Sequence, residues 1–184
     1  MEQQSVKKSG KDLSVKWVRD PDAPNPREEP WPTCTTMLFK DLELNIGDLI
    51  NKYNLDQPWK NIYDDIIASN SIVEIRSVYV RSNPAKEFVL TFDKLEPAYD
   101  TRLIGYMYMN KEQYQSIGIT SEGFKEEAVV NSIFNHELKY YLNYINGNLI
   151  KITFTNNGEE EFMYVTPDDL EKHIEYKMLE KEKE

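Results

Sequence analysis

Cys34, His136 and His173 are the only thiol and imidazole side chains in this sequence. No two of them stand at short ligand spacing, whereas zinc takes three or four such ligands, commonly in closely spaced pairs. His136-Glu137 lacks a second histidine one helical turn away. His173 lies one turn from both Asp169 and Lys177, a setting that capping or solvation explains. A Cys–His pair would require the fold to bring Cys34 to one of the histidines, which spacing does not specify. Cys34 heads an apolar stretch, the ordinary place for a small buried thiol. There is no Gly-x-Ser-x-Gly, and the 7 glycines form neither a phosphate-cradling loop nor a dinucleotide fingerprint. Carboxylates do cluster, as Asp64-Asp65, Glu126-Glu127, Asp168-Asp169 and Glu159-Glu160-Glu161. Neighbouring helical residues diverge instead of converging on one point, so these read as solvated faces and turns. The chain is therefore expected not to be an enzyme, with no catalytic residue, metal site or cofactor. An enzyme assembled from dispersed carboxylates or Cys34 is the alternative that local spacing does not address.

The aromatic side chains carry more information. The chain has 12 Tyr, 7 Phe and 3 Trp, residues that dominate binding hot spots because they bury area at small cost in rotamer entropy. Tyr106-Met107-Tyr108-Met109 places two tyrosines on one face of a strand and two methionines on the other. If the methionines face the core, Tyr106 and Tyr108 form an exposed patch, which Tyr140 and Tyr144, one turn apart on a helix, would extend. The other reading is a strand buried on both faces. With Trp17 and Trp31 of the N-terminal region, these residues form the candidate partner-binding set.

The elements that must position them follow from periodicity and turn chemistry. Residues 1–32 hold five of the 9 prolines (Pro21, Pro24, Pro26, Pro30 and Pro32). Proline fixes φ and extends its predecessor, so this stretch is expected to be an irregular arm, with Val15-Lys16-Trp17-Val18 as a possible short strand. The arm would wrap its own domain or reach a neighbour. Strands are expected over Thr35–Leu44, with a bulge near Lys40-Asp41, and over Ile72–Arg81, Glu87–Lys94 and Arg102–Met109. The last three are read as an antiparallel meander. Gly47–Asn54, Pro58–Ser69 and Asn110–Ile117 read as helical. The strongest helix, Ser121–Asn146, carries the stripe Val130, Phe134, Leu138, Tyr141 and Ile145 and ends before Gly147. A hairpin follows, Leu149–Thr155 and Glu160–Val165, turning at Asn156-Asn157-Gly158. Thr166, as cap, and Pro167 then open a final helix lined by Leu170, Ile174 and Met178. The fold class is α+β: a single mixed or mostly antiparallel sheet packed by the long helix. One domain spans 33–179, and a charged tail, 180–184, frays.

The formal net charge is -10. Phosphate recognition requires clustered Lys and Arg, so general nucleic-acid binding is not expected. No apolar run approaches a membrane span and no secretory signal is visible. A lone cysteine and the absence of glycosylation sequons fit a cytoplasmic location. The Trp31-Pro32-Thr33 entry into an apolar strand, and Asn110-Lys111-Glu112-Gln113 ahead of a helix, resemble matrix proteins of negative-strand RNA viruses. That resemblance spans only those residues and implies an assembly role, which the net charge opposes for a membrane-apposed layer. These observations together lead to a non-enzymatic protein-binding accessory protein of inhibitor, immunity or adaptor type, with the character of a virus- or mobile-element-encoded factor. Its partner would be a protein, for which a basic surface would match the chain's acidity, or another copy through the arm. A self-assembling, matrix-like or virion structural protein is the alternative.

Overall fold

Asn157 and Gly158 take φ values of 51° and 87°, the left-handed pair that a two-residue hairpin turn demands. They join β6 (Ile150–Asn156) to β7 (Glu159–Val165), paired from Asn156–Glu159 to Ile150–Val165. A third strand comes from the other end of the chain. Residues Leu13–Arg19 form β1 and run antiparallel to β6, giving a sheet of order β1-β6-β7. The computed structural model describes residues 13–28, 33–40, 48, 53–69, 71–82, 88–93, 101–118 and 126–183. The chain forms two compact units, one from residues 1–25 and 143–184 and the other from 26–142.

In the smaller unit, strand alternation sends Val15, Ile152, Phe154 and Val165 to one face, where they are buried. The final helix covers them with Leu170 and Ile174. That helix begins as a 3-10 turn, Pro167–Asp169, and continues as α4 (Leu170–Lys183). Pro167 sits at the helix start as its fixed φ favours. Thr166 does not cap the backbone; its hydroxyl donates instead to Asp169 Oδ2 at 2.6 Å.

The larger unit holds a second antiparallel sheet: β2 (Thr36–Phe39), β3 (Ile72–Ser82), β4 (Phe88–Thr91) and β5 (Arg102–Asn110), in the order β2-β5-β3-β4. The expected single sheet is thus two sheets, because β1 finds its partner in the C-terminal hairpin and not among its sequence neighbours. The expected meander is also corrected: β5 pairs with β3 and not with β4. Ile104 to Met109 are all buried, and an interior position between two strands, not an edge, suits such a segment.

Both faces of this sheet are covered. Helix α1 (Trp59–Ser69) brings Ile62 and Ile66 to the face that carries Leu38, Tyr106 and Tyr108. Helix α3 (Glu126–Ile145) lies on the other, where Phe39 meets Tyr141 and Phe92 meets Phe134 at ring-centroid distances of 6.3 and 6.0 Å. Of the expected stripe, Val130, Phe134, Leu138 and Tyr141 are buried and Ile145, at the helix end, is half-buried; each buried side chain contributes roughly 1.5–3 kcal/mol. At the crossing of β5 and β2 a Cβ on Gly105 would fall 1.9 Å from the Leu38 carbonyl oxygen, so only glycine fits there. A short helix, α2 (Lys111–Ser116), starts from a capping box: Asn110 Oδ1 accepts from the Gln113 amide and Gln113 Oε1 accepts from the Asn110 amide, both at 2.9 Å. The readings placed on 41–47, 49–52, 94–100 and 119–125 lie outside the described residues.

Candidate functional site

Arg27, within the proline-rich stretch, is the most heavily engaged charge among the described residues of the larger unit. Its side chain is 3 % exposed. Its Nη1 donates to Glu137 Oε2 at 2.8 Å, its Nε and Nη2 reach Asp48 at 2.9 and 2.8 Å, and Nη2 also reaches the Thr35 carbonyl at 2.5 Å. Burial alone would lower the guanidinium pKa, and the hydrogen bonds and charges of Asp48 and Glu137 more than reverse it. The two carboxylates are themselves used further. Glu137 accepts from the Cys34 amide at 2.6 Å and the Thr35 hydroxyl at 2.5 Å, and Asp48 accepts from the Met37 amide at 2.7 Å. This network fixes the segment around Pro26 to the start of β2 and to α3. Four of the guanidinium's five N–H donors go to these groups of the protein itself, so its role is positional. Burial first, then Glu137, pushes the Cys34 thiol up, which keeps it protonated and a poor nucleophile at neutral pH.

The sequence-selected aromatics are scattered. Tyr106 and Tyr108 are 6 % and 4 % exposed, since α1 packs over them. The strand is buried on both faces, the second of the two readings made for it. Tyr106 donates its hydroxyl to the Trp59 carbonyl at 3.1 Å and meets the Tyr63 ring at 5.4 Å. Trp17 packs half-buried on the covered face of the small sheet. Tyr140 and Tyr144 are half-buried on α3, with the His136 ring 6.4 Å from Tyr140. Trp31 lies outside the described residues.

An aromatic surface does exist, on residues that local reasoning passed over. The face of β1, β6 and β7 turned away from α4 carries two adjacent cross-strand rows. Val18, Lys151 and Tyr164 form one, and Lys16, Thr153 and Phe162 form the other. Phe162 is 60 % exposed and Val18 43 %. The Lys151 ammonium lies 4.5 Å from the Phe162 ring centroid, and Phe162 and Tyr164 meet edge to face at 6.1 Å and 83°. The Tyr164 hydroxyl donates to Asp20 Oδ2 at 3.0 Å; partial burial and then that carboxylate raise its pKa. Period-2 alternation would put Lys151, Thr153, Phe162 and Tyr164 on one side of a hairpin and no more. Only the pairing with β1 shows that they form a continuous three-strand patch.

A cleft of about 540 Å³ in the larger unit lies between β3, α2 and α3, among Glu74, Arg76, Lys111, Tyr114, Glu126 and Glu127. Its floor, Arg76, donates to Glu74 at 3.0 Å and to Asn131, and its guanidinium sits 4.6 Å from the Phe134 ring centroid and 5.3 Å from that of Phe92. Desolvation and then Glu126, its hydrogen-bond partner, raise the Tyr114 phenol.

Among the described residues no group of three or more His, Cys, Asp or Glu side chains is placed to hold a metal ion. His173 Nδ1 lies 2.9 Å from the Asp169 carbonyl, a local helix contact. Among the described residues no helix is long and apolar enough to cross a membrane. No family model matches the chain, and neither a curated protein nor a solved structure does.

Proposed function

We propose that this chain is a non-enzymatic accessory protein that binds another protein through the outer face of β1, β6 and β7. The observation that carries the reading is Phe162, 60 % exposed and in contact with Lys151 and Tyr164, on the same sheet face as an exposed Val18. Single exposed apolar residues are ordinary, but aromatic and apolar side chains gathered with lysines on one sheet face suit a docking surface. A ring already fixed by its neighbours loses little entropy on binding. Tyr140 and Tyr144 remain candidate contacts, while Trp17, Tyr106 and Tyr108 serve the core.

The test is a photo-crosslinking phenylalanine analogue at position 162, with a control at exposed Tyr176, in extract from the native source. A discrete adduct at 162 that wild-type chain competes away, and Phe162→Ser chain does not, is expected. Identical adducts from both positions, or none from 162, would refute the proposal.

The enzymatic reading draws on the carboxylate-lined cleft. Turnover that survives Phe162→Ser and is lost in Glu126→Gln/Glu127→Gln would favour it. Self-assembly is separated from both by light scattering on the intact chain.

A further inference from the structure

We infer that the outer face of β1, β6 and β7 receives an acidic segment of another protein, with carboxylates at Lys16 and Lys151 and an apolar side chain against Phe162 and Val18; this rests on the protein-binding reading above. The chain carries a net charge of -10, yet both charges in the two central rows of this face are positive. Among the described residues neither Lys16 nor Lys151 has an ion-pair partner. Lys151 is instead held over the Phe162 ring at 4.5 Å, so its ammonium is oriented before any ligand arrives. A carboxylate that meets it gains a charge-assisted hydrogen bond with little further loss of side-chain freedom.

The neighbouring charges narrow the occupant. Glu160 stands in the adjoining row, opposite Thr155, and Asp20 is bonded to Tyr164. A single-stranded nucleic acid carries a phosphate at every nucleotide and would meet these carboxylates as well as the field of the whole chain. A segment with one or two acids spaced to the lysines, and an apolar residue between them, brings far fewer charges against those carboxylates and that field and can seat each acid on a lysine. A second copy of this chain would add another net charge of -10 and oppose its own approach.

The test titrates three probes into the isotope-labelled full chain. They are a blocked nonapeptide of interspersed Glu and Leu, its Lys-for-Glu counterpart, and a ten-nucleotide oligothymidine. The acidic peptide should shift the amides of Lys16, Lys151 and Phe162, and bind more weakly as salt rises. Lys16→Gln/Lys151→Gln should weaken it roughly 2- to 30-fold, the worth of two exposed ion pairs. Absence of those shifts would overturn the inference. So would equal or tighter binding of the basic peptide or the oligothymidine, or a dimer seen by light scattering that Phe162→Ser abolishes. Repeating the crosslinking on the double-lysine variant separates the two readings. An unchanged adduct at 162 would sink the acidic partner and leave protein binding standing. No adduct from the parent chain would remove the reading beneath both.

Discussion

Arg27 and Glu137 lie 110 positions apart in the chain and 2.8 Å apart in space. Both are largely buried, and Asp48 completes the group. Taking ions out of water is repaid only when each finds its counterpart, so the three are stable as a set. Arg27→Met should leave two carboxylates facing one another without a cation, at a cost of about 3–5 kcal/mol. Urea unfolding followed by circular dichroism measures this. A loss below 1 kcal/mol would mean that water replaces the guanidinium.

Gly105 is the next most constrained position. Gly105→Ala places a methyl 1.9 Å from a backbone oxygen, and neither strand can withdraw without breaking the β2–β5 pairing. The variant should fail to accumulate as folded protein. Gly158→Ala has open space around it and meets only the left-handed backbone penalty, roughly 1–2 kcal/mol. Soluble yield and melting temperature of the pair separate steric exclusion from backbone preference.

Alkaline pH should destabilise the larger unit. Burial first, then Tyr53, raises the Tyr108 phenol well above its ordinary value, and burial likewise raises Tyr106. A folded-state pKa above the unfolded one contributes stability that is fully present below about pH 10 and is lost as pH rises through the folded value. Unfolding free energy from these groups should therefore be flat near neutrality and fall above about pH 10. Tyr108→Phe should lessen that fall, at a neutral-pH cost of about 0.5–1.5 kcal/mol for its hydrogen bonds. An identical alkaline limb in Tyr108→Phe would show that other groups govern it.

Truncation should separate core from surface aromatics. Tyr106→Ala and Tyr108→Ala each remove a buried ring and should cost about 3–5 kcal/mol. Phe162→Ser removes an exposed one and should change stability by less than about 0.5 kcal/mol. Thermal melts of the three variants decide this, and a Phe162→Ser loss as large as the others would place that ring in a core.

Where a pattern is local, it is legible in the sequence. The stripe on α3, the hairpin turn at Asn157-Gly158 and the short helix after Asn110 each depend on residues within a few positions; all three are present, with Ile145 at the end of the stripe only half-buried. What escaped depends on distance. β1 pairs with a strand more than 130 residues away (Leu13 with Asn156), and no property of Leu13–Arg19 names that partner. The Tyr106–Tyr108 face could be exposed or covered with the same alternation, and α1, reached through a separate stretch of chain, decides it. Phe162 carries no local signal, because an outward position in a hairpin is ordinary until a third strand widens the face. The Arg27 node was equally hidden: an arginine among prolines reveals its partners only once α3 is in place.

The pairing of β1 with β6 also bears on how the chain is made. A ribosome releases β1 first, and its partners, ending at Val165, emerge about 7–30 s later at ordinary rates of synthesis. During that interval residues 26–142 can complete their own sheet while β1 has no partner strand. Val15 and Trp17 then depend on whatever shields nascent apolar segments, and slow codons late in the message would lengthen that exposure.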